Sequence, residues 1–351
     1  MLDEASSSIE PLVNREASLQ RSLTGHKKAV TCLSINEKNI DILASGSEDM
    51  TVRTWDLRSG KCSKCIMIND TIESISFSIN NDHMIYVACA AKLKLYDLRR
   101  NEIILKDDSL CLDFSSDINA LCLHQKGQYL ALSDDTGSIT IIDILNDHKI
   151  IKRLSRVHSN LVSAISFRHN FNSNISTGGF DCIACTWDFN AGRPISSTNF
   201  SRESLTQQTA VPMINPPFVQ SILYAYHGKV LVCGLGDGSI RLLNPKDSKT
   251  IDFIEAHGGT ITSMSILQNN EKNLVFSGGI DKQLKCWEIL DATSGSTKKK
   301  NTNSFGNYSI VPLWSIDHNE KINAITPICS NQVIKVYVTD IGNNIHEYIV
   351  N

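Results

Sequence analysis

A recurring Trp-Asp pair constrains the fold of this 351-residue chain more than any other feature. Successive copies are separated by 41, 46, 45, 56, 44 and 61 residues. A unit of about 40–45 residues cannot bury a core alone, so such units stack on their neighbours. The two long separations predict insertions near residues 200–217 and 291–309. The pair or a variant of it begins at Trp55, Tyr96, Ile142, Trp187, Leu243 and Trp287, with a weak seventh copy near Tyr348.

Each unit carries four short stretches of alternating polarity, separated by turn residues. The first unit reads AVTCLSI, DILASGS, MTVRTWD and CSKCIMI, a pattern typical of β-strands. Four-stranded units repeated about seven times predict an all-β, seven-bladed β-propeller, with its sheets arranged around a central channel.

The two ends of the chain are expected to complete one blade together. A strand-like stretch, SLQRSLTG, precedes the first unit, and the last unit stops after its third stretch, NIHEYIV. We predict that the N-terminal strand joins the last blade as its outer strand, which leaves no long open edge. The propeller then spans residues 18–351 and follows an acidic, serine-rich stretch, residues 1–17, which we predict to be a disordered tail.

Three units contain the same four polar residues. Histidine precedes tryptophan by 29, 29 and 30 residues, and aspartate precedes it by 6 in each unit. We predict buried hydrogen bonds from indole to hydroxyl, hydroxyl to imidazole and imidazole to carboxylate, because unpaired buried polar groups are costly. A hydrolase triad is the alternative, but an active site is not normally built three times in one chain. The three tetrads are His26, Ser45, Asp49 and Trp55; His158, Thr177, Asp181 and Trp187; and His257, Ser277, Asp281 and Trp287.

These repeats and tetrads resemble those of the WD-repeat family over roughly residues 18–351. In the fold that this resemblance implies, Arg58 and Arg99 lie in turns on one rim of adjacent blades. Exposed guanidinium groups on a rigid frame suit pairing with carboxylates, and arginine is enriched at binding hot spots. The alternative is that both are inert, solvent-facing cations. The fold does not require arginine there, since other units hold Leu145, Asn190, Lys246 and Leu290 at the corresponding positions.

The segment LASGSEDMTVRTWDLR resembles the motif of WD-repeat substrate receptors for cullin-4 ubiquitin ligases. The resemblance implies that Arg58, beside Trp55 and Asp56, contacts the ligase adaptor, damaged-DNA-binding protein 1, and that Arg99 assists. Thr54 departs from the motif, in which an aliphatic residue is usual. A tyrosine replaces the tryptophan before Arg99, so the second copy matches more loosely. Many WD-repeat proteins have this motif without acting as receptors.

The opposite rim is expected to take the protein substrate. Glu48, Phe180 and Ile280 each precede the aspartate of a tetrad and therefore face that side. Phe218 ends the insert between the fourth and fifth units. Two readings of this insert stay open: it packs down as structure, or it offers a groove.

Two Cys-x-x-Cys pairs raise the question of a metal site. The pairs, Cys62 with Cys65 and Cys182 with Cys185, fall in the first and fourth units, nearly opposite each other around the predicted ring, so they cannot converge on one ion. We read these cysteines as ordinary small strand residues. The sequence predicts no metal site and no cofactor.

Composition narrows the class of function. The formal net charge of −3 speaks against direct nucleic-acid binding. No window is apolar enough to cross a membrane, the N-terminus is no signal peptide, and eleven cysteines fit a reducing compartment. We expect an intracellular monomer, in the nucleus or the cytoplasm.

The sequence leads to three hypotheses for the function. The first is a non-catalytic interaction module that acts as a substrate receptor for a cullin-4 ligase. The second is a propeller scaffold in a chromatin or ribosome-maturation assembly. The third, an enzyme, needs convergent acid and base residues in a pocket, and outside the tetrads the sequence offers no such set.

Overall fold

The computed structural model describes residues 17–155, 157–201, 215–268, 272–292, 307–330 and 332–350. Their strands form seven antiparallel sheets, which confirms the predicted seven-bladed β-propeller. The predicted tail lies outside the described residues up to residue 16, as do residues 202–214 and 293–306 of the two insertions.

The first four blades follow one another along the chain. Blade 1 contains β2 (Val30–Ile35), β3 (Ile42–Ser47), β4 (Thr51–Asp56) and β5 (Lys61–Met67). Blade 2 contains β6 (Ser74–Phe77), β7 (Met84–Cys89), β8 (Lys92–Asp97) and β10 (Leu110–Asp113). Blade 3 contains β11 (Ile118–Leu123), β12 (Tyr129–Asp134), β13 (Ile139–Asp143) and β14 (Lys149–Leu154). Blade 4 contains β15 (Val162–Phe167), β16 (Asn174–Gly179), β17 (Ile183–Asp188) and β18 (Arg193–Asn199).

Three more blades complete the ring. Blade 5 contains β19 (Val219–Ala225), β20 (Val230–Leu235), β21 (Ser239–Leu243) and β22 (Thr250–Glu255), with a 3₁₀ turn at Tyr226–Gly228. Blade 6 contains β23 (Ile261–Gln268), β24 (Asn273–Gly279), β25 (Gln283–Asp291) and β26 (Tyr308–Asp317). Blade 7 contains β27 (Ile322–Ser330), β28 (Val333–Asp340), β29 (Asn344–Val350) and, from the start of the chain, β1 (Ala17–Thr24).

The ring closes as predicted. Strand β1 pairs antiparallel with β29, from Ala17 opposite Val350 to Thr24 opposite Asn344. The innermost strands contact one another in order around the channel, and β27 contacts β2. The backbone N–H of Val30 also donates to the carbonyl oxygen of Gly342, at 3.3 Å. Closure therefore joins residues from the two ends of the chain.

The core lies between the blades. Among the described residues there are seven apolar clusters, and each is shared by two neighbouring blades. Between blades 1 and 2, for example, Val52 and Ile66 pack with Ile75 and Val87. Burying an aliphatic side chain of this size contributes about 1.5–3 kcal/mol, so each blade is held mainly by its neighbours.

Two elements depart from the expected four-stranded plan. Blade 1 has a fifth strand, β9 (Ile104–Leu105), which comes from the segment between β8 and β10 and pairs parallel with β5. In blade 6, β25 and β26 form an extended hairpin that reaches from Gln283 opposite Asp317 to Asp291 opposite Tyr308.

Candidate interaction faces

The strand order divides the turns between two faces. In each blade the third strand starts at one face and ends at the other. We call the face that carries Arg58 and Arg99 the arginine face, and the face that carries the turns with Asp49, Asp181 and Asp281 the aspartate face.

The tetrads form the predicted hydrogen-bond chains. In blade 1 the indole N–H of Trp55 donates to Ser45 Oγ at 2.8 Å, and the Ser45 hydroxyl donates to His26 Nε2 at 2.7 Å. His26 Nδ1–H then donates to Asp49 Oδ2 at 3.0 Å. The backbone N–H of Lys27 donates to the same oxygen, at 2.9 Å. The equivalent bonds lie between 2.7 and 3.3 Å in blades 4 and 6.

These hydrogen-bond chains leave no tetrad hydroxyl available for catalysis. Ser45, Thr177 and Ser277 are fully buried, and each hydroxyl already accepts from an indole and donates to an imidazole. Burial acts to raise the pKa of Asp49, but hydrogen bonds from His26, Thr51 and the N–H of Lys27 outweigh it and hold the pKa well below its usual value. The tetrads tie two turns of one blade together and offer no accessible nucleophile.

The aspartate of the Trp-Asp pair has a separate structural role. Asp56 Oδ1 accepts from the backbone N–H of Arg58 at 2.9 Å, a turn that short polar side chains favour. The same bond, 2.9–3.1 Å long, joins a side-chain oxygen to the backbone N–H two residues later in four other blades, where the donors are Arg99, Leu145, Asn190 and Lys246. The pair is therefore explained by the fold, whereas the arginine is not.

Arg58 is the freer of the two arginines. Its side chain is 75% exposed, and its Nε lies 3.5 Å from Asp56 Oδ1 and 3.6 Å from Asp41 Oδ2, long contacts that solvent screens. Arg99 is 59% exposed and forms a forked pair with Asp97: Nε to Oδ1 at 3.0 Å and Nη2 to Oδ2 at 2.6 Å. The side chain and backbone N–H of Arg99 lower the pKa of Asp97 to about 2.

The turns of blades 2 and 6 differ from those of the other blades, and the expectation that Leu290 lies in such a turn was wrong. The turn after Arg99 leads first to β9 in blade 1 and only then to the outer strand β10, because the segment between them crosses to the neighbouring blade. Leu290 does not lie in a turn. It pairs with Ser309 inside the extended hairpin of β25 and β26.

Two of the pockets formed by the described residues open on the arginine face. One, of about 320 Å³, lies between blades 1 and 7 and is lined by Arg58, Asp41, Arg21, Lys335 and Glu347 among others. Arg21 and Lys335 both pair with the buried carboxylate of Glu347, which compensates one of their two positive charges. The other pocket, of about 470 Å³, lies at the channel mouth, where the innermost strands of blades 1, 2 and 3 end.

An apolar arc follows four consecutive blades on the aspartate face. Phe180 and Ile280 are exposed, as predicted, and Phe218 stacks on Phe180 with ring centroids 4.6 Å apart. Pro217 beside it is buried, whereas Pro216 is exposed. Sequence reasoning missed Ile341, the corresponding exposed residue of blade 7, because no tetrad aspartate marks that turn.

Acidic residues occupy the same turns of two other blades. Glu48 lies in the turn between β3 and β4, and Asp135 lies in the corresponding turn of blade 3. Both are exposed. These turns of the aspartate face therefore carry apolar side chains in blades 4, 6 and 7, and an acidic side chain in each of blades 1 and 3.

The cysteine pairs lie where the sequence placed them, on blades 1 and 4. Burial raises the pKa of Cys65, and it raises that of Cys185 to about 12. Thiols with raised pKa values are poor nucleophiles and poor metal ligands near neutral pH. In the part of the chain that the structure describes, no helix is long and apolar enough to cross a membrane.

Comparisons with known proteins agree with this architecture. The family profile described as WD domain, G-beta repeat matches residues 17–56 and 248–288. The WD repeat-containing protein 53 homolog of Dictyostelium discoideum is 30% identical over 349 residues, which cover 93% of each chain. The THO complex subunit 3 of Arabidopsis thaliana is 21% identical and aligns over 75% of this chain and 76% of its own. The ribosome biogenesis protein bop1-A of Xenopus laevis is 35% identical over 65 residues, 18% of this chain and 9% of its own.

The first of these relatives spans nearly the whole chain, and the family profile falls on β1–β4 and on strands β22–β25. With seven blades and three buried tetrads, the chain belongs to the WD-repeat family of β-propellers.

Proposed function

We propose that this propeller is a non-catalytic substrate receptor that docks through its arginine face on damaged-DNA-binding protein 1, the adaptor of cullin-4 ubiquitin ligases. The observation that carries the proposal is the state of Arg58. Its guanidinium group is exposed, and its turn is held by the bond from the Arg58 N–H to Asp56. Among the described residues, the guanidinium group makes only long contacts, with Asp56 and Asp41. An adaptor carboxylate can therefore pair with Arg58 without first breaking a close internal ion pair.

Arg99 has the supporting role. Its forked pair with Asp97 must open, or accept a third partner, before Arg99 can bind another carboxylate. An exposed pair of this kind contributes only about 0.2–1 kcal/mol, so the cost of opening it is small. We therefore expect the loss of Arg99 to weaken binding less than the loss of Arg58.

The backbone that carries both arginines supports docking because its own motion is limited. Strand β9 attaches the segment after Arg99 to blade 1, and Lys64 Nζ donates to the carbonyl oxygens of Arg100 and, at 3.0 Å, Glu102. Adaptor binding would therefore order little backbone, which lowers the entropic cost of association. The pocket of about 320 Å³ beside Arg58 offers space for one anchoring side chain of the adaptor.

The aspartate face is the proposed site for the substrate protein. Phe180, Phe218, Ile280 and Ile341 would bind apolar side chains, and Glu48 and Asp135 would pair with basic ones. We expect a segment that carries both kinds of residue. A Phe180→Ser/Ile280→Ser variant should keep adaptor binding and lose substrate, and the substrate assignment fails if substrate capture is unchanged.

A scaffold in another assembly is the second candidate. It is supported by the similarity to proteins named as a THO complex subunit and a ribosome biogenesis protein. In that case Arg58 and Arg99 are incidental, and the faces bind other proteins.

Adaptor binding separates the two candidates. The full chain would be titrated with purified adaptor as wild type, Arg58→Ala and Arg58→Ala/Arg99→Ala. Arg193→Ala serves as the matched control, because this exposed arginine lies just after the corresponding turn of blade 4. Losing a hot-spot arginine costs about 2–4 kcal/mol, or roughly 30- to 1,000-fold in Kd. Absence of wild-type binding, or equal binding by Arg58→Ala and Arg193→Ala, would reject the receptor proposal.

A further inference from the structure

Blade 7 contains a polar cluster that differs from the tetrads. His318 and His346 point Nε2 at the same oxygen, Asp340 Oδ2, at 2.8 and 3.3 Å. The three candidate ligand atoms all lie within 4.8 Å of one another. Each tetrad brings one imidazole to its carboxylate, whereas this cluster brings two.

The difference follows from the sequence of the blade. Val338 occupies the strand position that Ser45 holds in blade 1, so no hydroxyl is present there to donate to an imidazole. The His318 ring is consequently reversed relative to His26: its Nδ1 faces the hydroxyl of Tyr348 at 2.7 Å, and its Nε2 faces Asp340. The aspartate moves from the turn to the end of β28.

The distances from Asp340 Oδ2 to the two imidazole nitrogens are close to those of a metal site, and the two nitrogens lie within 4.8 Å of each other. Zinc bonds to nitrogen and oxygen are about 2.0–2.2 Å, which in a tetrahedral site separates the ligand atoms by about 3.3 Å. The distance from Asp340 Oδ2 to His346 Nε2 already has that value. The distance from Asp340 Oδ2 to His318 Nε2 has to open by about 0.5 Å, which is within reach of a side-chain rotation.

The partners of these side chains suit metal binding. His318 Nδ1 faces Tyr348 Oη, and His346 Nδ1 faces Ser22 Oγ at 3.0 Å. A hydroxyl either donates or accepts, so each ring can move its proton from Nε2 to Nδ1 without losing its partner. Hydrogen bonds of this kind orient metal-bound histidines. Asp340 Oδ1 accepts from the N–H of Gly342 at 2.7 Å, which leaves Oδ2 facing the two rings.

The access of solvent to the cluster and the ionisation of Asp340 also suit metal binding. The side chains of His318 and Asp340 are 1% and 5% exposed, while that of His346 is 15% exposed and gives the cluster an opening to solvent. Burial acts to raise the pKa of Asp340, but hydrogen bonds from His318, His346 and Gly342 outweigh it and keep the carboxyl ionised at neutral pH.

We propose that His318, Asp340 and His346 bind one divalent transition-metal ion, Zn²⁺ by preference, with water as the fourth ligand. Two imidazoles and a carboxylate are a common zinc ligand set. The ion takes the place of the two Nε2 protons, which move to Nδ1 of the same rings. It links β28, β29 and the loop before β27, while Ser22 ties the site to β1. It therefore reinforces the blade that closes the ring. This assignment departs from our expectation, drawn from the cysteine pairs, that the chain holds no metal.

The test uses the full chain, stripped with a chelator and then titrated with ZnCl₂ or CoCl₂. Wild type, His346→Gln and His83→Gln would be compared by calorimetry, by the visible spectrum of bound Co²⁺ and by the melting temperature. His346→Gln is the informative variant, because this partly exposed side chain can change without collapse of the core. His83→Gln is the matched control, since it removes a histidine that lies beside an aspartate at the surface.

We expect one ion per chain, a Co²⁺ spectrum typical of tetrahedral nitrogen and oxygen ligands without thiolate absorption, and a melting temperature that rises with free Zn²⁺. His346→Gln should weaken binding by at least tenfold and remove the thermal response, whereas His83→Gln should change neither. The proposal is overturned if wild type binds no stoichiometric ion, if binding survives His346→Gln, or if the Co²⁺ spectrum shows thiolate ligation. In any of these cases the cluster is a hydrogen-bonded substitute for the missing tetrad.

Discussion

Replacing Ser45 with alanine should destabilise the propeller far more than its small size suggests. Ser45 Oγ is completely buried and connects two groups, the indole N–H of Trp55 and Nε2 of His26. Alanine leaves both without a partner, and each unpaired buried polar group costs about 1–3 kcal/mol. We therefore expect a loss of about 2–6 kcal/mol in the free energy of unfolding.

Two variants calibrate this value. Ser45→Thr keeps the hydroxyl, and Thr177 shows that blade 4 makes the same bonds with threonine, so this variant should recover most of the loss. Ser59→Ala removes an exposed hydroxyl from the same blade, where its bond to Asp56 is 3.5 Å long. It should cost less than about 0.5 kcal/mol.

Urea unfolding, followed by tryptophan fluorescence and circular dichroism, measures the three variants against wild type. Equal effects of Ser45→Ala and Ser59→Ala would refute the argument that the tetrad hydroxyl satisfies two buried groups. Equal effects of Ser45→Ala and Ser45→Thr would assign the loss to packing instead of hydrogen bonding.

Three further predictions concern acid, a glycine turn and ring closure. Because the folded-state pKa values of Asp49, Asp181 and Asp281 are lowered, their contribution to stability is present above about pH 4, the unfolded value, and is lost as the pH falls further. Urea unfolding at pH 7, 4 and 3 should show this loss, and Asp49→Asn should make it smaller. Gly137→Ala should cost about 2–4 kcal/mol in the same assay, because φ is +79° and the new Cβ would lie 2.3 Å from the carbonyl oxygen of His158; a loss below 1 kcal/mol would contradict this steric argument. Deleting β1 exposes the edge of β29 and should give a lower melting temperature and association in light scattering, whereas a monodisperse variant with unchanged melting would show that closure does not need this strand.

The repeat and the tetrads were predictable because both depend on short spacings within one blade. His26, Ser45, Asp49 and Trp55 all lie within one unit, and the turn bond to Asp56 spans two residues. Closure was predictable because the last unit visibly lacks a strand. In each case the feature depends on residues within one unit or on the number of strands in that unit.

The remaining features depend on contacts between blades or on broken patterns. Strand β9 exists because a segment of blade 2 finds free backbone groups at the edge of β5, which the sequence of either blade alone does not reveal. The cluster around Asp340 was missed because Val338 interrupts the tetrad pattern and His346 has no counterpart in the other blades. Ile341 was missed for the same reason.

The most direct test of the two-face account is hydrogen exchange of the propeller with and without damaged-DNA-binding protein 1. If the adaptor docks on the arginine face, its addition should slow exchange at residues 57–60 and 98–105. Exchange in the turns around Phe180 and Ile280 should be unchanged. Protection confined to the aspartate face, or no protection in the presence of saturating adaptor, would contradict the assignment of the arginine face to adaptor docking.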